Sequence, residues 1–251
     1  MVQAPSRRDR VRAATIEEIK QTARRLLVAE GPDAISLRAI AREMGMTAPA
    51  LYRYFGSHED LIGHVIADVF SEIADEINAA ISKASEESGG DLAVKLVAAC
   101  RQFRRWSLTH RREFGLLFGS PLPALEAARE RDNVIAPCAM KFGGTFFALF
   151  LDLWQHHPFE VPADEGIEPG LRVQLRRYRD GVGVDMPLGA VLTFLRCWVR
   201  LYGMVSLEVF GHLHFALDDA AVLFEYTLGE LAGLVGLQYP PPDGEGQPGG
   251  G

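Results

Sequence analysis

Gly45 most narrows what this chain can become. Before it, Leu37, Ile40, Ala41 and Met44 recur at helical spacing and share one face of a short helix. Gly45 stops that helix, because glycine enters the left-handed backbone region at little cost. Thr47 then offers a side-chain oxygen as a cap, and Pro49 fits a first helical turn, where its missing N–H leaves no bond unmade. Leu51 and Phe55, four apart, can pack back onto the first helix, while Tyr52 and Tyr54 leave from other faces. Two short helices set across each other by a glycine turn form the helix-turn-helix device, whose second helix enters a DNA groove.

The remaining composition sets bounds on this reading. An apolar fraction of 48% over 251 residues, with fourteen Phe and three Trp, suffices for a sizeable core. The net charge is −7, but its distribution matters more than its sum. Residues 1–64 hold ten Lys/Arg against eight Asp/Glu, or +2, and the rest hold sixteen against twenty-five, or −9. Nucleic-acid contact therefore belongs to the first piece. Cys100, Cys138 and Cys197 are odd in number and far apart, which suggests neither a disulfide framework nor a metal motif. A reducing cytosol fits that usage. The N-terminus is polar and Arg-rich, so no signal peptide is expected. The longest apolar run, Phe142 to Leu151, is about half of what a membrane span needs. A soluble, cytoplasmic chain without membrane contact or cofactor is expected. No nucleophile motif, Gly-rich phosphate loop or metal spacing supports catalysis.

Taken in order, residues 1–13 read as a flexible basic arm, with Arg7, Arg8, Arg10 and Arg12 against Asp9. That arm is either a solvated tail or a segment that lies along phosphates. Thr15 and Glu18 fit a capping box for a first helix to about residue 30, ended by Gly31-Pro32. Its buried stripe is Ile16, Ile19, Ala23, Leu26 and Leu27. Ser36 caps the second helix, residues 47–54 form the third, and Ser57 with Asp60 opens a long fourth over 57–84. Glu86 to Gly90 reads as a linker. Helical patterns follow at 91–110, 111–119, 123–155, 171–180, 187–212 and 218–236. A kink is expected at Pro137, and 156–170 is a Pro-rich acidic loop. No period-2 pattern is present. The expected fold is all-α: a three-helix DNA-binding domain at 14–60, a larger helical domain at 61–238, and a disordered tail at 239–251.

The stretch Ser36-Leu37, Ile40-Ala41, Gly45-Met46-Thr47, Leu51-Tyr52-Arg53-Tyr54-Phe55 and Glu59-Asp60-Leu61 closely resembles the N-terminal DNA-binding domain of TetR-family transcriptional regulators. The resemblance covers about residues 14–65; Trp198 to Gly203 is only faintly similar to a C-terminal motif of some members. It implies a dimeric regulator that binds a palindromic operator in double-stranded DNA and responds to a small-molecule effector. On that reading Thr47, Ala48, Pro49 and Ala50 meet the major groove, and Tyr52, Arg53 and Tyr54 reach phosphates or a guanine. Ser36 and Arg38 lie at the flanking backbone. Thr47 serves either as a contact or only as a cap. The family usually has lysine where this chain has His58, so the phosphate contact there loses a fixed charge.

Two apolar helices, 187–212 and 218–236, carry hydrophobic residues on more than one face and need partners on several sides. The resemblance implies that they pair with a second copy. It also implies an effector pocket in the middle helices, where Phe103, Trp106, His110, Phe114, Phe118, Phe142, Phe146, Phe147, Phe150 and Trp154 are candidates. The same aromatic residues would equally make plain core. A pocket built from them takes a mainly apolar ligand. The alternatives are a transcriptional activator and an all-helical small-molecule binder.

Overall fold

The computed structural model describes residues 6–31, 35–119 and 134–242. Among these, every regular element is helical: α1 (Arg7–Glu30), α2 (Leu37–Glu43), α3 (Ala48–Leu51), α4 (His58–Ser88), α5 (Leu92–Thr109), α6 (Arg111–Phe118), α7 (Ile135–His156), α8 (Pro169–Val182), α9 (Leu188–Val209) and α10 (Ala221–Leu234). One 3-10 turn, Asp164–Gly166, sits in the acidic loop before α8. The chain divides into two compact units, residues 1–74 with 110–142, and 75–109 with 143–251. The first unit thus extends beyond 14–60, taking in the start of α4, all of α6 and the start of α7.

Several boundaries differ from the sequence-based expectation. The basic stretch expected as a flexible arm is helical from Arg7 onward. Its cap is Ser6, not Thr15: Ser6 Oγ accepts from Asp9 N at 3.2 Å and Asp9 returns a bond to the Ser6 amide. A serine followed three residues later by an acid is the capping-box pattern, and here it recurs nine residues before the Thr15–Glu18 copy. Pro137 falls in the first turn of α7, where the helix has no N–H to lose, so it marks a start and not a kink. Residues 123–133 of the expected long helix lie outside the described residues, as do 1–5 of the arm and 243–251 of the tail. Gly89 and Gly90, both with positive φ, make the expected break, but Glu86 to Ser88 still belong to α4.

The first unit is organised on α1. Ile19, Ala23 and Leu27 are fully buried, and each such aliphatic contributes about 1–3 kcal/mol through removal from water. Leu37, Ile40, Ala41, Leu51 and Phe55 of the α2–α3 region and Leu61 and Val65 of α4 complete the core. Charges lock the helices in register. Lys20 Nζ lies 2.6 Å from Asp68. Burial disfavours the Lys20 ammonium, yet its bonds to Asp68 and Glu17 outweigh that and raise its pKa. Arg24 grips both Glu72 oxygens, Nη2 to Oε1 at 2.9 Å, and its Nε donates to Glu113 of α6 at 3.2 Å. Glu113 is buried, so this guanidinium is the cation that offsets its desolvation.

In the second unit, α5 carries the connections. Arg101 reaches Glu225 of α10, Arg104 reaches Glu208 of α9 at 2.5 Å, and Lys95 reaches Asp152 of α7 at 3.4 Å. Phe103 packs on Phe146 and Trp198 at centroid distances of 6.0 and 6.1 Å. α7 and α9, each 22 residues, are long and apolar enough by composition to cross a membrane. Here α9 packs on α5, α8 and α10, and Phe146, Phe150 and Leu153 of α7 are buried in the same unit.

Replacing Arg24 tests the charge lock. Arg24→Ala leaves two carboxylates facing each other, one of them buried, and should cost on the order of 2–4 kcal/mol in chemical denaturation. Arg24→Lys should recover only part, because one ammonium cannot serve both carboxylates in the same geometry.

Candidate nucleic-acid interface and cavity

The turn after α2 closes as its glycine requires. Gly45 has φ +64°, its N–H donates to Arg42 O at 3.3 Å, and Met46 N–H donates to Ala41 O at 2.8 Å. This paired closure is the Schellman arrangement. At the other end of α2, Ser36 Oγ accepts from Ala39 N at 3.1 Å. Thr47 stands at the N-cap of α3 with an extended backbone, but its side chain makes no capping bond. Pro49 lies in the first turn, as its geometry demands. The expected helix over 47–54 is α-helical only at 48–51. It then tightens into i→i+3 bonds, Arg53 N–H to Ala50 O and Tyr54 N–H to Leu51 O at 2.9 Å.

Leu51 and Phe55 point inward and are buried at 0% and 2% exposure, which fixes the opposite side of the segment outward. Thr47, Pro49, Tyr52 and Arg53 are exposed there, with Ala48, Ala50 and Tyr54 half-exposed. Ser36, Arg38 and Arg42 are exposed on α2. Small side chains at 48–50 leave the backbone open to close approach, and the flanking hydroxyls and guanidinium are donors suited to phosphate and base edges.

Two candidates are committed elsewhere. Tyr54 lies under Arg12, whose guanidinium carbon is 5.2 Å from the ring centroid and whose Nη2 donates to Arg53 O at 3.2 Å. His58 Nε2 is 2.6 Å from Ile35 O. A carbonyl only accepts, so that nitrogen carries the proton, and in a neutral ring Nδ1 is left an acceptor. His58 thus holds the residue before the α2 cap, a role that its sequence position did not signal. Arg12 was equally hidden, because its partners lie forty-one residues away.

The ten aromatic and histidine candidates for a pocket do not share one site. Phe114, Phe118 and Phe142 pack together with Phe70 in the first unit. His110 is the N-cap residue of α6, with Nε2 3.9 Å from Glu72. In the second unit Phe103 and Trp106 are core, Phe147 packs on Tyr178 and Phe194, and Trp154 packs on Phe159. Only Phe146 and Phe150 of the ten line the apolar cavity of that unit. The cavity, about 80 Å³, is lined by Val97 and Cys100 of α5, Phe194, Cys197, Trp198 and Leu201 of α9, and Leu228, Leu231 and Ala232 of α10, with Val235 and Leu237 beyond. Burial pushes both thiols up, Cys100 to about 12 and Cys197 to about 11.

The segment after α10 is pinned, although it was expected to begin a disordered tail. Arg101 Nη2 donates to Tyr239 Oη and to Pro240 O, both at 3.1 Å, and the Tyr239 hydroxyl bonds Glu225. Burial and the Glu225 carboxylate push the phenol up to about 12.

Comparison with known proteins matches both units. A family model described as bacterial regulatory proteins, tetR family, covers residues 19–65, and one described as tetracyclin repressor-like, C-terminal domain, covers 96–231. HTH-type transcriptional regulator Mb1846 of Mycobacterium bovis is 30% identical over 209 residues, 83% of this chain and 86% of that protein. The crystal structure of the regulatory protein SCO4313 aligns with TM-score 0.68 at 30% identity, over 91% of this chain and 100% of that one. RolR in complex with resorcinol shares the fold, with TM-score 0.52 at 16% identity, over 93% of this chain and 98% of that one.

The Gly45 turn can be tested by substitution. Apart from its chain neighbours nothing lies within 4 Å of a Cβ at Gly45, so Gly45→Ala should cost only the backbone conformation, about 1 kcal/mol by denaturant titration. Gly45→Asn should cost less, since asparagine tolerates the left-handed region.

Proposed function

The chain belongs to the TetR family of bacterial transcriptional regulators, and from that premise we propose that it is a dimeric repressor released from a palindromic operator by a small, mainly apolar effector. The observation that carries this reading is the outward face of residues 47–53. Its backbone is fixed by the Gly45 closure and by buried Leu51 and Phe55. Ser36 and Arg38 flank it as phosphate contacts, Thr47 to Ala50 approach the major groove, and Tyr52 and Arg53 extend the grip. Tyr54 and His58 serve mainly to hold the reading segment.

Dimerisation is supported by apolar surface on the helix pair α9–α10. Their inner faces close the cavity, while Val199, Val222 and Tyr226 are 66%, 79% and 67% exposed, with Leu207, Phe210 and Leu223 beside them. Such a patch on a folded chain marks an interaction surface, and a two-fold pairing doubles the DNA that is read.

Effector release is supported by the cavity. Its volume of about 80 Å³ is well short of the ~150 Å³ engineered cavity that accepts benzene. A one-ring ligand must therefore spread α5, α7, α9 and α10. A ligand that binds the spread arrangement more tightly than the closely packed one shifts the population toward it, which is the differential affinity that release requires. RolR, of the same fold, holds resorcinol, a molecule of that size class.

Three measurements check this. A palindrome selected by the purified protein from a random pool should be bound far more tightly than random duplex. Val222→Glu with Tyr226→Glu should sediment as a monomer and lose about a hundredfold or more in palindrome affinity, because two-site avidity is gone. Among phenol, resorcinol, indole and benzene at least one should release the wild type. Ala232→Leu, which fills the cavity, should blunt that release at least tenfold while changing palindrome affinity less than twofold. Absence of any palindrome preference would overturn the reading.

A further inference from the structure

The stripe on which α1 packs runs past the end of the core. Ile19, Thr22 and Leu26 are buried at alternating spacings of four and three. The same stepping toward the N-terminus reaches Thr15, Arg12 and Arg8. Arg12 already acts on that side, bonded to Arg53 O and stacked on Tyr54. Arg8 lies about 6 Å further along the axis and only about 40° around it from Arg12. Arg10 lies about 160–200° from both, on the opposite side of the helix.

The electrostatics of this end are unfavourable in the free protein. Arg7, Arg8 and Arg10 crowd a helix N-terminus, where the peptide dipoles already present positive charge. Asp9, the acid of that turn, is spent on the capping box with Ser6. Among the described residues none of these three arginines has an ion-pair partner. An anion beside this turn converts the arrangement from unfavourable to favourable.

We propose that Arg8 contacts a DNA backbone phosphate flanking the segment read by residues 47–53, presented in fixed register by the helical stripe that Arg12 anchors to the 52–54 turn. This rests on the DNA-binding reading above. A helical mount differs from a flexible arm in its consequence: the contribution depends on the helix face, not on the amount of positive charge near the N-terminus.

The test compares full-length wild type with Arg8→Ala, Arg8→Lys and Arg10→Ala, binding a random-sequence duplex and the selected palindrome across a KCl series. For Arg8→Ala the slope of log affinity against log salt should become shallower by about one per protomer engaged, about two for a dimer. The loss should be the same for both duplexes, because phosphates carry no sequence information. Arg8→Lys should keep the wild-type slope, and so should Arg10→Ala. An unchanged slope in Arg8→Ala overturns the proposal, and so does an equal loss in Arg10→Ala. In either case wild-type binding leaves the underlying reading standing; a wild type that binds neither duplex removes both.

Discussion

The packing of α1 is the constraint from which the first unit follows. Its buried stripe at Ile19, Ala23, Leu26 and Leu27 seats the α2–α3 region, and its Lys20 and Arg24 fix α4 and α6 against it. Hydrophobic burial supplies the attraction but is non-directional. The ion pairs supply register, because Arg24 reaches Glu72 and Glu113 together in only one alignment. Arg12 extends the same control to the far end of the reading segment. The outward face at 47–53 is therefore positioned from behind, by residues that need not touch DNA.

In the second unit α5 plays the corresponding part. Lys95, Arg101 and Arg104 tie it to α7, α10 and α9. The helices so tied leave a small apolar space between them, lined also by Val235 and Leu237 beyond α10. Cores at native density rarely keep such a space.

The helix-turn-helix was legible because its signals are local. Gly45, Pro49, Leu51 and Phe55 act within a few residues, and the backbone follows them closely. The all-α character and most helix cores were legible for the same reason. The start of α1 was misplaced because two capping-box patterns compete, and apolar periodicity favours the inner one while the structure uses Ser6. The cavity lining was largely invisible. Sequence reports that a residue is apolar, not whether its neighbour across the core is an atom or a void. Aromatic Phe103 and Trp106 thus pack solidly, whereas Cys100 on the same helix, and Cys197 and Ala232 on helices expected to face a partner, line the space. Long-range pairs such as Arg101–Glu225 span 124 residues and leave no local trace.

The proposed function rests on residues 47–53 reading a specific duplex. The deciding experiment titrates the purified protein against the palindrome it selects from a random pool and against a random duplex of equal length at matched salt. A preference of at least a thousandfold for the palindrome is expected, within the usual range for specific over non-specific binding. Equal affinity for the two duplexes would refute it.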